Sequence, residues 1–249
     1  MNHIDFYCRL IAFIEKGAIM SRKNVLFIVT SHASLGDEKE TTGLWLEELA
    51  APYYAFIDAG CDVRIVSISG GSVPIDPKSQ AERGENPESV ERFLDDKNAM
   101  AAIQHTPSVA EVDTFGFDAL FIPGGHGTMW DMPDNEHLAK LVAATYESGR
   151  IVAAVCHGPA GLVGARLSNG EPLVKDRDVS AFTDSEEEAV GLTDTVPFLL
   201  ESRLTELGAN VRSAPNFEPF ALADGNLITG QNPPSSEKVA ELVLRALKM

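Results

Sequence analysis

At 249 residues with 44% hydrophobic side chains, the chain has room for a sizeable core and is not a disordered polypeptide. Its 37 acidic against 20 basic residues leave a formal net charge of −17, which excludes a broad electrostatic grip on nucleic acid. No stretch approaches the ~18–20 apolar residues that span a bilayer, so neither nucleic acid nor membrane is an expected partner.

The opening MNHIDFYCRLIAFIEKGAIM interrupts its apolar positions with Asp5, Arg9, Glu15 and Lys16, and it lacks the unbroken apolar centre and cleavage site of a signal peptide. Residues 1–20 read as an appended segment, either a helix or a stretch upstream of a start at Met20. Residues 21–249 read as a single α/β domain with an insertion at about 70–112. Cys8, Cys61 and Cys156 form no C-x-x-C pair, so no structural zinc site or disulfide framework is expected, and a reducing, cytoplasmic setting is.

Asn24–Thr30 (NVLFIVT) is a near-continuous apolar run, the mark of a strand buried on both faces. The spacing predicts a helix over Thr42–Ala59 closed by Gly60, then a strand over Asp62–Ser69, an order that implies parallel pairing. Glycines and prolines between 70 and 87 mark a long loop, and Ser89–His105 reads as a charged helix. Phe117–Ile122 resumes the sheet and runs into Pro123-Gly124-Gly125-His126-Gly127. A helix over Asn135–Ser148, a buried strand over Arg150–Val155 and a helix from Pro159 to Val163 follow. Val179–Phe182, the neighbourhood of Val211, and Asn226–Thr229 supply further strands. Helices are expected over Thr195–Leu207 and Ser235–Leu247, the second with Ser235 or Ser236 as N-cap. The alternation predicts a doubly wound, mostly parallel sheet sandwiched by helices, in the flavodoxin-like manner.

In Ala153-Ala154-Val155-Cys156-His157-Gly158-Pro159 a buried strand delivers a cysteine straight into a tight turn, the arrangement of a nucleophile elbow. The amides and dipole of the following helix are expected to favour a thiolate. Of the six histidines (His3, His32, His105, His126, His137 and His157), none lies beyond His157, which argues against an amidotransferase-type triad whose base is far downstream of the cysteine. The base is then His157 or His126; His126 otherwise lines the pocket or is a plain loop residue. The glycines beside it would let backbone amides approach a substrate oxygen. Glu47 and Glu48 point about 100° apart on their helix, with Glu48 on the apolar side, where burial would raise its pKa and fit it to carry a proton. In Asp184-Ser185-Glu186-Glu187-Glu188 one acidic side chain is a candidate to orient His157.

With AVCHGPAGL around Cys156, PGGHGTMWD around His126 and TGLWLEELAAPYYAF around Glu48, the chain from about Lys23 to Leu247 resembles the ThiJ/PfpI superfamily of the class I glutamine amidotransferase-like fold. The branch it resembles holds stress chaperones and glutathione-independent glyoxalases (glyoxalase III). The resemblance implies Cys156 as nucleophile, His157 as base, Glu48 as the helix glutamate and Glu187 as the third acid, with Asp184 as fallback. It implies the amides of Gly125 and His157 as the oxyanion site, with His126 in the pocket. The implied activity is conversion of methylglyoxal to lactate, or glyoxal to glycolate, without glutathione, cofactor or metal (a lyase or hydrolase of the D-lactate dehydratase kind). Deglycation of early aldehyde adducts, a holding-chaperone role with glycated or unfolded clients, a cysteine peptidase or amidase activity, and a homodimer are the other implications of the resemblance. Redox sensing through Cys156 is a further alternative read from the cysteine itself.

Overall fold

The computed structural model describes residues 22–36, 40–113 and 115–249; the appended segment expected over 1–20, and Cys8 within it, lie outside them. In chain order the elements are β1 (Asn24–Val29), β2 (Ser34–Leu35), β3 (Glu40–Thr41), α1 (Leu46–Asp58), β4 (Asp62–Ser67), α2 (Glu88–Asp95), α3 (Lys97–Gln104), β5 (Ala119–Ile122), α4 (Thr128–Asp131), α5 (Glu136–Glu147) and β6 (Ile151–Val155). After them come β7 (Asp178–Val179), α6 (Asp184–Ala189), α7 (Leu200–Glu206), β8 (Asn210–Val211), β9 (Ala221–Asp224), β10 (Leu227–Gly230) and α8 (Ser236–Ala246). The main sheet runs β4-β1-β5-β6-β10-β9, parallel throughout except for β9, which lies antiparallel on β10. The expected doubly wound sheet is present. The chain order reverses between β1 and β5, so the carboxyl ends of β1, β5 and β6 open a crevice on one edge.

Alternation along each strand builds two cores. Val25, Phe27, Val29, Phe121, Ala153 and Val155 face α1, α2, α3 and α8, where Phe27, Phe56 and Phe121 pack with centroids 5.0 to 5.9 Å apart. Leu26, Ile28, Leu120, Ile122, Val152 and Ala154 face α5, α7 and the segment after Cys156. Strands read as continuous apolar runs because both faces are covered. No helix among the described residues is long and apolar enough to cross a membrane.

Several expected boundaries move, each for a local reason. The helix expected from Thr42 begins at Leu46, because residues 42–45 are extended against residues 74–76: Leu44 N donates to Pro74 O at 2.8 Å and Thr42 Oγ1 to the buried Asp76 carboxylate at 2.8 Å. The single helix expected over Ser89–His105 is two, broken at Asp96, whose carboxylate caps α3 by accepting from the amides of Asn98 and Ala99. α7 starts at Leu200 instead of Thr195; Pro197 offers no N–H and disfavours helical backbone before it. The expected helix after Cys156 is a 3-10 turn over Gly158–Leu162. β9 was not expected; the two-residue Gly225-Asn226 connection that folds it onto β10 is a hairpin signal.

Candidate active site

β6 is buried along its whole length and delivers Cys156 at the carboxyl edge of the sheet. The backbone there is pinned on both sides: Cys156 N donates to Gly230 O at 3.0 Å and Phe182 N to Cys156 O at 2.9 Å. Between those bonds Cys156 adopts φ +59°, a left-handed conformation that costs a non-glycine residue about 1–3 kcal/mol. Close approach of the β5 and β6 ends makes the elbow possible. A Cβ on Gly158 would collide with the carbonyl of Ile122, and one on Gly124 would stand 2.6 Å from His157 N. Gly125, at φ +96°, leaves no space for a Cβ against Gly43 and Trp45. The Thr128 hydroxyl, 2.9 Å from Gly125 O and 3.0 Å from His157 O, ties the GGHG loop to the elbow.

His157 sets Nδ1 3.3 Å from Cys156 Sγ and Nε2 2.7 Å from Glu187 Oε2. The other oxygen of that carboxylate lies 2.9 Å from His126 Nε2. One carboxylate therefore holds two imidazoles, whose centroids are 4.1 Å apart, and Phe182 packs on His157 at 4.5 Å. Burial alone would raise the Glu187 carboxyl, but the hydrogen bonds from His126 and His157 outweigh it and hold the pKa down to about 2. An ionised carboxylate only accepts, so each histidine presents Nε2–H to it, and His157 Nδ1 faces the sulfur with its lone pair. Burial, aided by His126, pushes His157 down to about 4 against the pull of Glu187, so the ring is neutral at pH 7. The donor atoms of His126, His157 and Glu187 come within 4.8 Å of one another, close enough for a shared transition metal, although their 2.7 and 2.9 Å spacings are those of a hydrogen-bonded chain.

Glu48 projects from the first turn of α1 and is fully buried. Its Oε2 accepts from Gly124 N at 2.7 Å, while Oε1 has no nitrogen or oxygen partner and the carboxyl interacts with the Cys156 thiol. Burial lifts its pKa to about 8, opposed by the Gly124 amide and the thiol, so at neutral pH it carries a proton. Glu47 is half-buried and lines a groove of about 430 Å³ between α1 and α8, outside the cysteine site. The expectation that a helix dipole favours the Cys156 thiolate is corrected. Burial, and then the charge of Glu48, push the thiol well up, and the His157 amide opposes them only in part. A five-residue 3-10 turn has little dipole to offset desolvation.

Cys156, His157, Glu48, Glu187, Gly125 and His126 thus converge at one sheet edge. Asp184 does not; its carboxylate accepts from Ser202 Oγ at 2.5 Å on the outside of α6. Two features escaped sequence reasoning. Thr183 and Glu186 form a capping box at the start of α6, and the buried Glu186 also accepts from Phe217 N at 2.7 Å and Asn232 Nδ2 at 2.9 Å. The T-x-x-E spacing of Thr183-Asp184-Ser185-Glu186 is a legible signal. With Glu186 assigned to the cap, Glu187 is the other buried carboxylate of that first turn, about 60° around the helix from Asp184. The pairing of His126 with Glu187 had no local signal, since the partners are 61 residues apart.

A family model described as the DJ-1/PfpI family matches residues 41–246. The chain belongs to the DJ-1/PfpI family. Among relatives of this DJ-1/PfpI chain, a protein of Schizosaccharomyces pombe named a probable glutathione-independent glyoxalase is 34% identical, with 84% of this chain and 91% of that protein covered. Among solved structures, glyoxalase III of Candida albicans is 29% identical with a TM-score of 0.82, covering 90% of this chain and 97% of that one. The Rapid Encystment Protein of Francisella tularensis is 40% identical with a TM-score of 0.86, covering 90% and 99%.

Proposed function

We propose that this DJ-1/PfpI protein is a glutathione-independent glyoxalase that turns methylglyoxal into lactate and glyoxal into glycolate. The observation that carries the reading is a fully buried, protonated Glu48 beside a cysteine in a strained elbow. That arrangement suits proton movement on a small carbonyl compound, and the glyoxalase names of relatives matched over nearly their whole length support it.

His157 Nδ1 takes the thiol proton as Cys156 Sγ attacks the aldehyde carbon, and the oxyanion of the resulting hemithioacetal lies against the amides of Gly125 and His157. Glu187 steadies the imidazolium that forms. The imidazolium returns its proton to the hemithioacetal oxyanion; neutral His157 then takes the proton from C1 while Glu48 protonates the C2 oxygen, giving an enediol. His157 delivers its proton to C2 as the Glu48 carboxylate takes that of the C1 hydroxyl, and C1 becomes a thioester carbonyl. Water hydrolyses the thioester and frees the thiol. Carbon is oxidised at C1 and reduced at C2, so no external oxidant or cofactor is consumed. His126 lines the pocket in this scheme. The homodimer and the glycated or unfolded protein clients rest on the family resemblance alone, as does deglycation.

Lactate formation from methylglyoxal in the absence of glutathione tests the reading. The wild type produces lactate, Cys156→Ser falls to background, and Glu48→Gln loses roughly 100-fold in kcat. Full turnover by Cys156→Ser would overturn the mechanism.

A further inference from the structure

Two histidines share Glu187, and the scheme above assigns a chemical step to only one of them. The His157 side chain is 1% exposed and engages both ring nitrogens, Nδ1 at Cys156 and Nε2 at Glu187. The His126 side chain is 12% exposed; its Nε2 donates to Glu187 Oε1, and its Nδ1 has no hydrogen-bond partner among the described residues. Because the ionised carboxylate only accepts, the His126 proton sits on Nε2 and Nδ1 keeps its lone pair. The ring stands 4.1 Å from that of His157, one residue along from Gly125. It is an imidazole held in a basic tautomer, packed on the histidine that contacts Cys156, and the more exposed of the two.

We propose that His126 is the base of the second half-reaction: its Nδ1 deprotonates the water that hydrolyses the Cys156 thioester. The inference rests on the glyoxalase reading. The two halves ask for different bases. Removing the proton from a buried thiol suits a sealed imidazole in contact with sulfur, whereas removing one from incoming water requires an imidazole open to solvent. In the hydrolytic step one O–H bond of water breaks and its proton goes to His126 Nδ1. The oxygen electron pair forms the new bond to the thioester carbon. The tetrahedral intermediate then collapses, the C–S bond breaks and its electron pair stays on sulfur. The thiolate takes the proton of the new carboxyl group, lactate leaves, and His126 passes its own proton to solvent.

Glu187 serves the bases in turn, holding the imidazolium of His157 during attack and that of His126 during hydrolysis. Two cations with ring centroids 4.1 Å apart would repel, so His157 must give up its proton before His126 accepts one. The sharing of one carboxylate therefore orders the two half-reactions.

His126→Asn keeps an N–H for Glu187 without a basic nitrogen, and His126→Phe keeps the ring without either. Each variant, in excess over methylglyoxal, is quenched in acid and weighed intact. Hydroxylamine then cleaves the adduct, and release of lactohydroxamate identifies a thioester and not a hemithioacetal. Both variants are expected to lose roughly 100-fold in steady-state kcat and to accumulate the thioester, which the wild type does not. Cys156 alkylation by iodoacetamide is expected to proceed in His126→Asn at the wild-type rate. The proposal is overturned if His126→Asn turns over like the wild type, since a donor to Glu187 would then suffice. It is equally overturned if the variants are slow without accumulating thioester, or if the alkylation rate of Cys156 falls with turnover. A wild type that makes no lactate sinks the glyoxalase reading and this inference with it.

Discussion

Glu48 is where a single residue's environment has the largest consequence. Its carboxyl ordinarily titrates at 4.5 and here at about 8, because folding removes it from water with one backbone donor and a thiol for company. Between those values the folded chain holds a proton that the unfolded chain has released, so this group subtracts stability as pH rises through the window, and the penalty is complete above about 8. Glu48→Gln keeps an acceptor for Gly124 N and has no proton to lose. Calorimetry should therefore find the variant and the wild type alike at pH 5, with the variant more stable at pH 9 by on the order of 3 kcal/mol. Equal melting temperatures at both pH values would mean that Glu48 is not desolvated. Glu187 and His157 pull the other way on acidification. The Glu187 contribution is present above its ordinary 4.5 and is lost as pH falls toward about 2, while the burial of a neutral His157 is penalised as pH falls from 6.5 toward about 4.

At the scale of elements, α6 aims Glu187, and its first turn is what holds it. Thr183 Oγ1 accepts from Glu186 N at 3.1 Å, and the Glu186 carboxylate returns the bond to Thr183 N at 3.0 Å while gripping the chain at Phe217 and Asn232. Thr183→Val removes the cap and is expected to cost about 1 kcal/mol in urea titration. The same variant should slow Cys156 alkylation, because the helix that presents Glu187 loses its anchor; a change in stability with no change in alkylation would show that α6 is positioned by packing instead. The elbow has its own test. Gly158→Ala places a methyl against the carbonyl of Ile122, so the β5 and β6 ends must separate, and methylglyoxal turnover should be lost even where circular dichroism still reports a folded sheet.

Across the whole molecule, the 70–112 segment is a covering layer and not a loose loop. Val90, Phe93, Ala99 and Ile103 are buried in the core against α1, leaving Glu88, Arg92 and Lys97 exposed. Phe93→Ala should cost about 3–5 kcal/mol in thermal or urea denaturation. Phe115→Ala, at a side chain 78% exposed, should stay within about 0.5 kcal/mol of the wild type. If the two behaved alike, α2 and α3 would not be part of the core. The described large apolar residues that remain exposed (Ile57, Phe115, Val190, Phe217 and Met249) include none from 70–112, so that segment turns its large apolar side chains inward.

The sequence by itself determined the buried strands, their parallel order and the elbow at Cys156, because hydrophobic runs, glycines and strand-to-turn junctions are local patterns. Helical geometry turned Glu47 and Glu48 apart and offered Glu48 for the apolar side, and the family resemblance around them chose Glu48. The boundaries near Thr42 and Asp96 were decided by contacts that no window of sequence contains, namely a carbonyl at Pro74 and a cap that competes with helix continuation. The family resemblance ranked Glu187 ahead of Asp184, but only the tertiary structure joined it to both His126 and His157. Those partners come from the ends of β5 and β6 and from α6, 61 and 30 residues apart in the chain. Burial, which keeps His157 neutral, Glu48 protonated and the Cys156 thiol high, is likewise a property of the packed sheet edge. The placement of Cys156 in the elbow was readable from the chain, while the protonation state of the groups around it is set by which charges the fold removes from water.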